Sequence, residues 1–250
     1  DFSSVVYDGT HSDKRSDLIT YQSYNEFSRG INSIPSSDAN YTDNYKHIRR
    51  TNLLLQNAEA YAKPEDIKQY IGEAYFFRAY SYFDLLQLYG DVIITKKPLD
   101  ITDPEMKVKR NDRSEVVDLI IDDLNHAVEN LPAFKELTTE EEGRISKEGA
   151  QAFLSRVALY EGTWQKSRNG NQNTQRSANL LDIAAKAART VIDAKYGYTF
   201  RLFGTDSETK ILGDSAQKYM FILENEKSNP AGIKKSSNHE YIFARRHDQV

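Results

Sequence analysis

The stretch "IGEAYFFRAYSYFDLLQLYGD", Ile71–Asp91, decides the fold. It has helical length, an aromatic side chain at every second or third position, and Arg78 in its middle. Ile71, Ala74, Tyr75, Arg78, Tyr82, Leu85 and Tyr89 recur at helical spacing, so a guanidinium falls on an apolar stripe. Further aromatics lie off that stripe and are read as packing, which puts this helix at the centre of a helical bundle. A buried guanidinium must be paired and hydrogen-bonded, because an isolated charge in low dielectric costs several kcal/mol. Arg78 is therefore read as structural, with Asp122 or Asp123 of another helix as its partner, and a ligand contact as the alternative.

Working outward, Pro64 suits the first turn of this helix and Gly90 its left-handed C-terminal cap. A preceding helix, Asp43–Tyr61, carries Tyr45, Ile48, Leu55 and Ala58 on one face, and the short link between the two makes a hairpin. Residues 91–112, with Pro98 and Pro104, read as an extended surface connection. Ser114 is the expected N-cap of a third helix bearing Val117, Ile120, Ile121, Leu124, Ala127 and Leu131. Ser146 is that of a fourth, whose stripe is Ala150, Phe153, Leu154, Val157, Tyr160 and Trp164. After the polar loop "SRNGNQNTQRS" an alanine-rich fifth helix covers about Ala178–Lys195, its small residues admitting a close neighbour. Beyond it, "YTFRLF" and "EYIFARR" look like short strands.

The expected organisation is a loop-rich leading segment over 1–42, a helical-repeat core over 43–196, and mixed loops and short strands over 197–250. Antiparallel helix pairs with small residues at their crossings give a mostly α, tetratricopeptide-like helical-repeat bundle with long loop insertions.

Composition narrows the function. The chain has 250 residues, enough for a substantial core, and its net charge of −4 offers no field for nucleic acid. With zero cysteines there are no disulfides, thiolate metal sites or cysteine nucleophiles. The 5 histidines are scattered without metal-ligand spacing, and no dinucleotide, P-loop or nucleophile-elbow motif occurs. The acidic pair Asp122-Asp123 diverges by about 100° on a helix, so it forms no shared site and reads as solvated surface. No catalytic residue, metal or cofactor is expected. The 16 tyrosines suit half-buried packing and ligand stacking equally.

Several motifs in order resemble the SusD/RagB family. "YKHIRRTN" matches its Y-x-x-I-x-x-x-N through Tyr45, Ile48 and Asn52. "GEAYFFRAYSYFDLLQLYGDV" is similar to its most recognisable block through Glu73, Ala74, Arg78, Ala79, Tyr82, Phe83, Tyr89, Gly90 and Asp91. Arg113, Asp123-Leu124, Ala127, Leu131-Pro132, "GRISKEGAQAFLSRVALY", Trp164, "VID" and "HEYIFA" follow in the family's order, extending the resemblance over Tyr45–Ala244. Departures accompany it. The chain is shorter than family members and resembles their N-terminal portion, no leader or lipid-bearing cysteine is present, and Ile93 or Ile94 stands where the family has proline after G-D-V.

The resemblance implies a non-enzymatic, lipid-anchored protein on the outer face of the outer membrane. It would capture oligosaccharide or peptide for a SusC-like TonB-dependent transporter, with no membrane contact except through an anchor absent from this chain. In the family, ligand residues come from the loop ahead of Y-x-x-I-x-x-x-N and vary with the ligand. Sugar rings stack on aromatics and their hydroxyls pair with amides, carboxylates and guanidinium groups. By composition the candidates there are Tyr21, Tyr24, Arg29, Asn32, Asn40 and Tyr41, while Trp164 is read as core. Alternatives are a tetratricopeptide-like scaffold gripping a peptide or protein, and a glycan-acting enzyme, which needs facing carboxylates about 5 to 10 Å apart.

Overall fold

The computed structural model describes residues 30–31, 33–141, 143–168, 174–223, 225 and 227–243. Its helices are α1 (Ala39–Glu59), α2 (Lys68–Tyr89), α3 (Arg113–Asn130), α4 (Lys147–Arg168), α5 (Thr174–Ile192) and the short α6 (Ala216–Met220). The chain divides into two units, Asp1–Thr42 and Asp43–Val250. In the first, the Asp38 carboxylate accepts the Asn40 N–H at 2.9 Å and its carbonyl accepts the Thr42 hydroxyl. That turn starts α1 four residues ahead of the expected Asp43.

Within the second unit each long helix runs antiparallel to the next. Asn44 bonds Asp84 and Asn52 bonds Arg78 between α1 and α2. Gly72 abuts Leu131, Arg78 meets Asp123 and the Leu86 carbonyl meets Arg113 along α2 and α3. On α4 and α5, Ser155 bonds the Ala184 carbonyl while Gly162 lies against Leu181. As residue numbers rise along one helix, those of its contacts fall along the other. Gly72 is required by proximity: a Cβ there would stand 2.9 Å from the backbone nitrogen and Cγ of Leu131.

The buried positions follow the expected stripes with adjustments at their edges. Ile48, Leu55 and Ala58 of α1 are buried and Tyr45 is half-buried; on α3, Ile121 is half-buried and Val116 and Leu119 join the core. Ala184 and Ala187 are the α5 alanines that face inward. The expected N-cap Ser114 lies inside α3. Its cap is Asp112, whose N–H bonds the Glu115 carboxylate at 3.1 Å, because Asp91 also accepts the Arg113 N–H and starts the helix two residues earlier. Ser146 caps α4, its hydroxyl accepting the Gly149 N–H at 3.2 Å. The loop read as "SRNGNQNTQRS" is shortened from both sides, since α4 continues to Arg168 and α5 begins at Thr174.

The strand expectation for 197–250 is corrected: among the described residues no strand forms there. One backbone bond, Arg201 N–H to the His239 carbonyl, links the two pieces that resembled strands, so no ladder develops. Their apolar residues serve other packing. Phe203, Leu212, Ala216, Leu223 and Ile233 form a small core around α6.

Candidate functional site

Arg78 is 5% exposed and Asp123 0%. Its Nε and one terminal nitrogen donate to the two Asp123 oxygens at 2.8 and 2.6 Å, and the other terminal nitrogen donates to Asn52 Oδ1 at 2.8 Å. Burial works against the guanidinium charge, and the Asp123 bonds outweigh it, holding the Arg78 pKa above its usual value. Burial also raises the Asp123 carboxyl, and the two guanidinium bonds offset part of that rise. Of the acidic pair read as solvated surface, Asp122 is exposed and Asp123 is not, since adjacent residues on a helix point in different directions.

The clamp extends into the connection after Gly90. Asn52 donates from its amide nitrogen to the Thr95 carbonyl at 2.9 Å, the Tyr82 hydroxyl accepts the Thr95 N–H at 2.7 Å, and the Tyr45 hydroxyl bonds the Ile93 carbonyl at 2.8 Å. Ile94 uses the N–H that a proline would lack, donating to Asn111 Oδ1 at 2.9 Å. Val92 pairs with Asn111 across the same connection. Every group in this network is met from within the chain, and the arrangement is structural chemistry.

Trp164 is half-buried and lies outside the core where the sequence placed it. Arg113 and Arg168 sit over its ring at 4.2 and 4.8 Å, and Glu161, the next position inward, takes the Arg113 Nε at 2.8 Å. The core-facing positions at this end of α4 are Glu161, Gly162 and Gln165. That leaves the indole at the margin.

Tyr21, Tyr24, Arg29 and Asn32 lie outside the described residues. Asn40 is exposed and Tyr41 half-buried, both in the first turn of α1.

Sequence reasoning missed a cleft of about 910 Å³ in the second unit, between α1, α2, α4 and the segment 240–243. Phe76, Phe77, Tyr80, Phe153, Phe221, Tyr241 and Phe243 supply its aromatic lining. Phe76 meets Phe153 at 5.4 Å between centroids, and Tyr80 stacks on Phe153 at 5.5 Å. Phe77 and Tyr80 remain 44% and 53% exposed, correcting their reading as packing. The signal was present: both lie off the stripe that carries Arg78, on the side of α2 that α3 does not cover. His47, Arg50 and Arg156 stand on the rim with Glu240, whose Oε2 accepts the Phe203 N–H. No helix among the described residues is long and apolar enough to cross a membrane, and none of their His, Asp and Glu side chains form a group that could hold a metal ion.

Residues 5–159 match the SusD-like family model described as starch-binding associating with outer membrane. Among curated proteins, SusD-like protein P38 of Formosa agariphila is 33% identical over 133 residues, which are 52% of this chain and 25% of that protein. Among solved structures, a SusD-like protein from Bacteroides fragilis aligns over 89% of this chain and 36% of its own, with a TM-score of 0.64 and 25% identity. A laminarin binding SusD-like protein aligns over 76% and 38%, with a TM-score of 0.56 and 25% identity. The chain thus spans between a quarter and two-fifths of the length of these proteins.

Proposed function

Because the chain belongs to the SusD-like family, we propose that it is part of a lipid-anchored, cell-surface protein that captures oligosaccharide and hands it to a SusC-like TonB-dependent outer-membrane transporter. The observation that carries this reading is the family match over residues 5–159, whose description joins starch binding to the outer membrane. The laminarin-binding relative supports a glycan as the cargo.

Capture is an equilibrium, with no bond made or broken. The segment from Tyr21 to Tyr41, with Tyr21, Tyr24, Arg29, Asn32, Asn40 and Tyr41, is the proposed glycan surface, because it combines ring-stacking tyrosines with amide and guanidinium donors. The Arg78 clamp has a supporting part: it joins α1, α2 and α3 and, through Asn52, the connection after Gly90.

A glycan array incubated with this chain tests the proposal. Saturable binding to a defined class of oligosaccharide is expected, weakened by Tyr41→Ala with the fold intact by circular dichroism. An array blank for every glycan class would remove the reading.

A further inference from the structure

The aromatic cleft has the form of a docking groove. It is lined by α1, α2, α4, the end of α6 with Phe221, and the segment 240–243, and its volume of about 910 Å³ exceeds what one sugar ring fills. Its floor is mostly hydrocarbon: Phe76, Phe77, Tyr80, Phe153, Tyr241 and Phe243. Sugar rings could stack on such a floor, but among the described residues the lining offers no amide side chain and one carboxylate, so most of a glycan's hydroxyls would go unmet, at a cost for each. An amphipathic polypeptide segment brings apolar side chains at the spacing of one helical face.

The rim then selects among such segments. His47 and Arg50 lie one turn apart on α1, Arg156 stands on α4, and all three are exposed. Among the described residues neither arginine has an ion-pair partner. The one carboxylate on the rim, Glu240, is engaged by the Phe203 backbone. The cleft is therefore cationic in a chain whose net charge is −4, so an acidic partner is repelled by the molecule at large and drawn to this place.

We propose that the cleft is a docking site for an acidic amphipathic segment of a partner protein, its apolar face on the aromatic floor and its carboxylates on Arg50 and Arg156. Guanidinium groups suit this role because they meet carboxylates through paired, charge-assisted bonds.

The experiment is fluorescence anisotropy with three labelled helical peptides, identical in their Leu and Phe positions and carrying Glu, Gln or Lys on the flanks. The Glu peptide is expected to bind at least about tenfold more tightly than the Gln peptide, with the Lys peptide weakest. Arg50→Gln and Arg156→Gln each should lower affinity for the Glu peptide several-fold and flatten its salt dependence, while Arg110→Gln, outside the cleft lining, leaves both unchanged. Phe77→Ser should weaken the Glu and Gln peptides alike. Equal binding of Glu and Gln peptides, no binding of any, or peptide binding that survives both arginine substitutions overturns the proposal. So does a concentration-dependent dimer by light scattering that Phe77→Ser abolishes, since the cleft would then belong to a second copy. Glycan binding is read separately: a chain that takes glycan and refuses the acidic peptide keeps the capture function and loses this site.

Discussion

Two sides of α2 present opposite solutions to the same composition. On one, Arg78 is enclosed by Asp123 and Asn52, and Tyr82 by Thr95, so that polar groups inside the bundle are met by the chain itself. On the other, Phe77 and Tyr80 are apolar groups left open to the cleft. The comparison teaches that charge in this helix marks the place where the fold is closed, and exposed aromatic surface the place where it is unfinished. A buried ion pair is costly to break and contributes little to recognition, because nothing outside can reach it. An open aromatic face contributes little to stability and is available to a partner.

Substitutions on the two sides should therefore diverge. The largest effect is expected from Arg78→Met, which leaves the Asp123 carboxylate buried without its partner and should cost about 3–5 kcal/mol in urea unfolding. Replacing both members, Arg78→Met with Asp123→Leu, should recover much of that loss; a double variant as unstable as the single one would show that the pair is not the unit of stability. Gly72→Ala comes next. Its Cβ would enter the space of Leu131, and a loss of about 1–3 kcal/mol is expected, read as a lower thermal midpoint. Ser146→Ala removes the α4 cap for about 1 kcal/mol, with Ser146→Asp restoring it. Tyr80→Ser, on the open side, should change stability by no more than about 0.5 kcal/mol. A loss as large as that of Gly72→Ala would mean that Tyr80 belongs to the core and would erase the distinction between the sides.

Much of the fold could be read from spacing. Periodic apolar residues located the five long helices, and Gly90 and Ser146 marked helix ends where one residue type suits the backbone, while Pro64, expected in the first turn of α2, opens a separate 3-10 turn over Pro64–Ile67 and α2 begins at Lys68. Where the sequence misled, a longer-range contact decided. Ser114 has the chemistry of a cap, yet Asp91, far away in sequence, fixes the start of α3 two residues earlier. "YTFRLF" has the composition of a strand, but among the described residues no segment offers it a ladder. The cleft was illegible for a related reason. A stripe predicts which residues can be buried, whereas burial also needs an opposing surface, and among the described residues the side of α2 at Phe77 and Tyr80 is covered only in part, by Phe153 of α4. Asn52 shows the converse: its part in the clamp requires Arg78, Thr95 and Lys97 from separate segments to converge on one amide.

The capture function is tested most directly by titrating matched gluco-oligosaccharides, from starch, laminarin and xyloglucan, into this chain by isothermal calorimetry and recovering the sugar afterwards by chromatography. The account predicts saturable heat for at least one of them and recovery of that sugar at its original length. Shortened products would make the protein an enzyme, and no heat with any of the three would contradict glycan capture.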